Sequence, residues 1–161
     1  MRKFEKISFE QFKKDISDDI DLYNSYNIPR RATKESAGYD FESLFDFIIK
    51  PGEDLKIPLG IKVDMNSGEV LFIVVRSSQG FKYKVRMCNQ VGVIDKDYYN
   101  NTENEGHLYI KLENHGDKDY IVKKGDRICQ GIYLPFLITD DDKNDGIVRT
   151  NGIGFTDRKE D

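Results

Sequence analysis

Cysteine and histidine are scarce in this 161-residue sequence, and their scarcity narrows the scaffolds available to it. Cys88 and Cys129 are too few for a disulfide framework and show no metal-ligand spacing, and His107 and His115 form no paired ligand pattern. Structural zinc is therefore not expected. No apolar run approaches the roughly 20 residues of a membrane span. The N-terminus joins no charged start to an apolar stretch of signal-peptide length, so the expected location is the cytoplasm, with no membrane contact. Positive charge is also short. The 25 Lys and Arg against 29 Asp and Glu leave a formal net charge of -4, which argues against a broad grip on a nucleic acid polymer. A small anion held by a local basic cluster stays possible. A chain of this length fits one domain, and subunit contacts would add to the core of a β-rich fold.

Periodicity is what the sequence does have. Ser8 followed by Gln11 reads as a capping box, and Phe9, Phe12 and Ile16 recur at helical spacing, so one short N-terminal helix is expected. An acidic, tyrosine-bearing stretch at 18–27 ends near Pro29, and beyond it the apolar period falls from near 3.6 to 2. Phe41, Phe45, Phe47 and Ile49 share odd positions, and the alternation from Leu55 to Met65 reads as one half-buried strand. Residues 69–75 are apolar on both faces, Leu108, Ile110 and Leu112 alternate, and Ile128, Ile132, Leu134 and Phe136 continue the pattern. Turn residues separate these runs, which predicts an all-β antiparallel sandwich or jelly roll with one helix at its edge. The expected division is a helical extension over 1–27, a β-domain over 28–140 and a polar, Gly-rich C-terminal arm over 141–161, mobile in the free protein.

Polar groups collect where strands end. Arg76, Ser77, Ser78, Gln79 and Gly80 follow an apolar strand, and a guanidinium, two hydroxyls and backbone N–H groups make a cradle for phosphate oxygens. An ordinary polar turn reads the same way. Lys82, Lys84 and Arg86 alternate beyond it as a local positive face. Asp95, tethered to the apolar Val93 and Ile94, could hold a water by accepting its proton, although Asp and Tyr98 are common turn residues too. Asp40 starts a strand, where a cap is the default role. Gln130 is a polar residue on the apolar face of Ile128, Ile132 and Leu134 and needs a hydrogen-bond partner. Arg149, Gly152, Ile153 and Gly154 make a cationic tail.

In this order the segments resemble the five motifs of the trimeric dUTPase family, at residues 37–40, 76–80, 92–98, 125–130 and 149–156. The resemblance implies a jelly-roll, β-clip-like subunit, a homotrimer with sites at subunit interfaces, and a C-terminal arm that closes over a neighbour's site. The reaction implied is Mg²⁺-dependent hydrolysis of dUTP to dUMP and pyrophosphate, which limits uracil in DNA and supplies dUMP. Asp95 then orients the attacking water, while Gly92, Val93 and Ile94 belong to a hairpin whose backbone receives uracil beside Asn89. Tyr98 lies under the deoxyribose. Arg76, Ser77, Ser78, Gly80, Gln130 and Arg149 bind phosphates, and Asp40 meets the metal through water.

The sequence departs from the family twice. Gly152, Ile153 and Gly154 stand where a Gly-Phe-Gly usually covers the base, and Phe155 comes two positions later, so either side chain could be the cover. The stretch Asn100 to Glu105 is long and is expected to extend a loop away from the catalytic end. Two alternatives stay open: a dCTP deaminase-related enzyme, whose glutamate would fall at Lys111, and a trimeric interaction module with residual dUTP binding.

Overall fold

Lys3, Phe4, Glu5 and Lys6 alternate too briefly to stand out in the sequence, yet they form the edge strand β1 (Lys3–Lys6). Ser8 caps the expected helix, α1 (Phe9–Asp15), by accepting from Gln11 N at 3.1 Å. The other half of the box is not made, because Gln11 donates to Asp15 (2.8 Å) and the Ser8 N–H goes to Glu105 (2.9 Å). A second, unexpected helix, α2 (Ile20–Ser25), follows Asp19, whose side chain accepts from Leu22 N at 2.8 Å. The rings of Tyr23 and Tyr26 just past α1 lie 5.3 and 5.8 Å from Phe12, which gives this short helix its packing. The structure, a computed structural model, describes residues 1–143 and 146 of the 161.

The strands β2 (Arg30–Arg31), β3 (Tyr39–Glu42) and β4 (Phe47–Ile49) come next. The alternation from Leu55 to Met65 is not one strand, as its period suggests, but two, β5 (Asp54–Pro58) and β6 (Ile61–Asp64). Gly60 between them has φ 68°, and a Cβ there would stand 2.9 Å from Tyr26 Oη. β7 (Glu69–Val74) runs into a helix, α3 (Ser77–Tyr83), where a turn and a basic strand face are expected. Lys82 therefore sits on a helix, Lys84 closes it at φ 56°, and Arg86 belongs to β8 (Val85–Met87), so the three share no face. The strands β9 (Gly92–Ile94), β10 (Tyr109–Asn114), β11 (Tyr120–Val122) and β12 (Arg127–Pro135) complete the described elements.

Every ladder among the described residues is antiparallel, in sheets ordered β2-β3-β12-β7-β9, β5-β10-β8, β11-β4 and β1-β6. One core joins them, and it includes Ile7 and Phe12 from the N-terminal segment beside Phe41, Leu71, Ile110 and Ile128. A bulge between Arg127 and Cys129 takes Ile128 out of register, so Gln130 shares its half-exposed face with Ile132 and Leu134 while Ile128 is fully buried. This corrects the single apolar face read from the sequence. No described helix is long and apolar enough to cross a membrane.

His107, fully buried, ties α1 to the sheets. Gly60 N donates to its Nε2 (2.9 Å), so the proton of the neutral ring sits on Nδ1 and is given to Asp15 Oδ2 (2.6 Å). Burial lowers the His107 pKa, with Lys56 adding to the effect and Asp15 and Glu105 opposing it. A histidine with a lowered folded pKa takes its proton more readily when unfolded. Its stability contribution is thus complete above the ordinary value of 6.5 and declines as pH falls below it. Thermal melts should show stability flat near pH 8 and falling between pH 7 and 5, by up to about 1.4 kcal/mol per pH unit. His107→Asn should flatten that slope, and an equal slope in the variant would show that the acid sensitivity lies elsewhere.

Candidate active site

Asp40, on β3, pairs with Gln130 on β12, and Gln130 pairs with Val74 on β7, so the three lie side by side on one face of the five-stranded sheet. Two residues past Val74, Arg76 turns back to bond Asp40 Oδ1 through Nε at 2.9 Å, and Arg127 reaches Oδ2 at 3.2 Å. The buried carboxylate is thereby matched by two guanidiniums, leaving the cluster with one net positive charge. Gln79, itself buried, fixes the Arg76 backbone. Its Oε1 accepts from Arg76 N (2.7 Å), while its Nε2 donates to Tyr120 Oη (2.9 Å) and Ile128 O (2.6 Å). Gln130 Nε2 donates to Val75 O at 3.3 Å, which is the partner that its position demands. Gly38 lies so near Gln130 that a Cβ would stand 2.2 Å from Oε1. Ser77 and Ser78 are exposed on the first turn of α3, and among the described residues nothing lies within 4 Å of a Cβ built on Gly80. Such a set can receive anionic oxygens.

Two members of this cluster, Gln79 and Arg127, lie in segments read from the sequence but are given no role of their own there. Gln79 stands three residues after Arg76, the spacing at which a side chain returns to cap a helix's first residue, but the helix itself is not foreseen. Arg127 lies beside Asp40 only because β12 and β3 pair, and nothing local to it carries that signal.

The second group of residues gathers around β9. Gly92 pairs with Ile73, and a Cβ on it would meet Ile73 Cβ at 3.3 Å, so glycine lets β9 lie close against β7. The resemblance implies a hairpin here, but β8 pairs with β10 while β9 pairs with β7, and the turn at 88–91 crosses from one sheet to the other. Among the described residues both are edge strands, each with a ladder on one side. Asn89 and Val93 are exposed on this corner, and Ile94 is half-buried. Asp95, exposed, begins a 3₁₀ turn at Lys96–Tyr98, and its carbonyl accepts from Tyr98 N at 3.2 Å. Tyr98 is only 9% exposed. Its hydroxyl donates to His107 O (2.9 Å) and accepts from Asn104 Nδ2 (3.0 Å). The loop at 100–105 thus touches this end of the site, contrary to expectation, because Asn101 Oδ1 folds it back by accepting from Glu103 N (3.0 Å) and Asn104 N (3.1 Å).

One chain does not bring the two groups together. Ile94 stands opposite Leu71, so Asp95 lies at the start of β7, in a depression with Asp64, Gly68, Lys96 and Phe136. Arg76 lies past the far end of the same strand. At about 3.3 Å per residue the separation is roughly 20 Å. Arg149, Gly152, Ile153, Gly154 and Phe155 fall outside the described residues.

For Mg²⁺, the donor set is sparse. Among the described residues no three His, Cys, Asp or Glu side chains converge, and both Asp40 oxygens are engaged by arginines. The cluster fits an ion whose inner shell is filled by phosphate oxygens and water, with the protein at one remove.

The dUTPase family model matches residues 24–152. A deoxyuridine 5'-triphosphate nucleotidohydrolase of Lactococcus lactis is 47% identical over 131 residues, covering 81% of this chain and 87% of that protein. One from Desulfitobacterium hafniense is 36% identical over 114 residues, covering 69% and 72%. The crystal structure of a dUTPase from Streptococcus mutans superposes with a TM-score of 0.69 at 38% identity, over 86% of this chain and 98% of that one. The jelly-roll fold and the ordered motifs agree with these likenesses, and the chain belongs to the dUTPase family.

Proposed function

We propose that this protein is a homotrimeric, Mg²⁺-dependent dUTP diphosphatase, releasing dUMP and pyrophosphate and so limiting uracil in DNA. The observation that carries the reading is the paired cluster of Asp40, Arg76, Arg127 and Gln130 at one end of β7, with Asp95 at the other. Phosphoanhydride hydrolysis needs neutralised phosphates and an oriented water, and here each is assembled at a different place. A site composed from neighbouring copies places one subunit's Asp95 against another's phosphate cluster.

In this scheme Arg76, Ser77, Ser78, Gly80 and Gln130 hold the phosphate chain, and Arg149 adds a charge from the C-terminal arm. Asp40 aims Arg76 and meets Mg²⁺ through water. The ion, when bound with the triphosphate, neutralises its charge and polarises the α-phosphorus. Asp95 accepts a proton from the water that attacks this phosphorus, and the bond to the bridging oxygen of pyrophosphate breaks. The exposed edges of β8 and β9, with Asn89, Gly92, Val93 and Ile94, offer backbone groups to the uracil edge. Tyr98 walls off a 2'-hydroxyl. Either Ile153 or Phe155 covers the base.

Pyrophosphate release from dUTP, dTTP, dCTP and UTP, with Mg²⁺ and with chelator, tests the proposal. We expect dUTP alone to turn over well and chelation to remove most of that rate. Ammonia from dCTP would indicate a deaminase instead, and dUTP binding without turnover would indicate an interaction module.

A further inference from the structure

The family match begins at residue 24, yet the segment before it holds the loop that follows the third motif at several points, among them Lys14 Nζ, which donates to Glu103 O at 3.5 Å. Glu5 accepts a hydrogen bond from Tyr99 Oη. Ser8 donates to the Glu105 carboxylate through both its backbone N–H (2.9 Å) and its hydroxyl. Asp15 accepts from His107 Nδ1 at 2.6 Å, and Gln11 Nε2 steadies it at 2.8 Å. The anchors at Tyr99, Glu105 and His107 fall at the first, seventh and ninth residues after Tyr98, so the loop is pinned at its start and along its return. The Tyr98 hydroxyl bonds to two parts of this return, donating to His107 O (2.9 Å) and accepting from Asn104 Nδ2 (3.0 Å).

We infer that residues 1–23 act as a clamp that positions Tyr98, and that Asp15, through His107, sets how sharply the enzyme rejects a ribose. The inference rests on the reading of Tyr98 as the sugar wall. Tyr98 is almost wholly buried, so it meets a ligand only along one edge, and discrimination depends on where that edge stands. Its ring is held by packing, but its outward limit is set at the hydroxyl, where His107 supplies a backbone acceptor. His107 in turn cannot shift without breaking the bonds to Asp15 and to Gly60 N (2.9 Å). Asp15 touches neither substrate nor any residue assigned to it; it is a positioning residue.

The test compares kcat/KM for dUTP and UTP in the full-length protein, below the melting temperature of every variant. Partial unfolding lowers both values equally, so their ratio reports on the site alone. Asp15→Leu should lower the dUTP/UTP ratio by about tenfold, the scale expected when a positioned group drifts by a fraction of an ångström. Asp15→Asn, which keeps an acceptor for His107 and Gln11, should restore it. Should Asp15→Leu fail to fold, Glu5→Ala, at a partly exposed side chain, reads the same clamp through Tyr99. Tyr98→Ala is measured in parallel. If it narrows the ratio while Asp15→Leu and Glu5→Ala keep the wild-type value, the clamp is refuted and the sugar-wall reading survives. If Tyr98→Ala leaves the ratio unchanged, both are refuted.

Discussion

Asp95→Asn is expected to leave the assembly and dUTP binding intact and to slow turnover by something like 10²- to 10⁴-fold, the range for loss of a general base. Asp95 is exposed at the end of β9, and its carbonyl, not its side chain, accepts the Tyr98 N–H that starts the following turn. An amide of the same size therefore disturbs neither the core nor that turn. What changes is chemical. The carboxylate can take a proton from water and the amide cannot, while both can accept a hydrogen bond and keep the water in place. The loss should fall on kcat with KM nearly unchanged, the pattern of an interaction made only in the transition state. Single-turnover rates alongside equilibrium binding of a non-hydrolysable dUTP analogue measure the two separately. Near-normal turnover in the variant would remove Asp95 from the mechanism, and a matching loss of binding would make it a substrate ligand.

What could be read in the sequence depended on whether its cause was local. The Ser8 cap and the Phe9–Phe12 spacing lie within one helical turn, and α1 forms where they predict. The motif segments were legible because each concentrates polar residues at the end of an apolar run. The break at Gly60 was not, since the period of 2 continues through Leu59 and Ile61, and it is Tyr26 and His107, both distant in sequence, that hold the turned backbone there. α3 was hidden because its stabilising bonds come from Gln79 reaching Tyr120 and Ile128, residues far along the chain. The same holds for the site. Arg76 and Gln130 could be named as phosphate-site candidates and Asp40 as the residue that meets the metal through water, but their junction with Arg127 depends on pairing among β3, β12 and β7. Likewise, no spacing in the sequence reveals that β8 and β9 belong to different sheets, because each finds its partner elsewhere.

Ending the chain after Val148 should cost more than any single phosphate ligand while sparing the fold. Among the described residues the buried apolar core runs from Ile7 to Cys129, and β12 ends at Pro135, so the expectation for the fold rests on the contacts these residues make with one another. Thermal stability and size-exclusion mass should therefore match the full-length protein. dUMP should still bind, because base and sugar are assigned to residues 89–98. Triphosphate turnover should collapse for an electrostatic reason. Arg76 and Arg127 together exceed Asp40 by one positive charge, which is little against a triphosphate whose negative charge shifts toward the leaving pyrophosphate. Arg149 is the further cation assigned to that charge. Losing one such donor typically costs 10²- to 10³-fold, and an uncovered site also admits water that weakens every remaining charge contact. Arg149→Ala in the full-length chain separates these contributions: a rate equal to that of the truncated protein assigns the effect to the guanidinium, and an intermediate rate assigns the rest to cover by Ile153 or Phe155. Ile153→Phe and Phe155→Ala then identify which side chain lies over the base, through their opposite effects on dUTP binding. A truncated protein that stays fully active, or one that elutes as a monomer, would overturn the assignment of the tail as a catalytic lid.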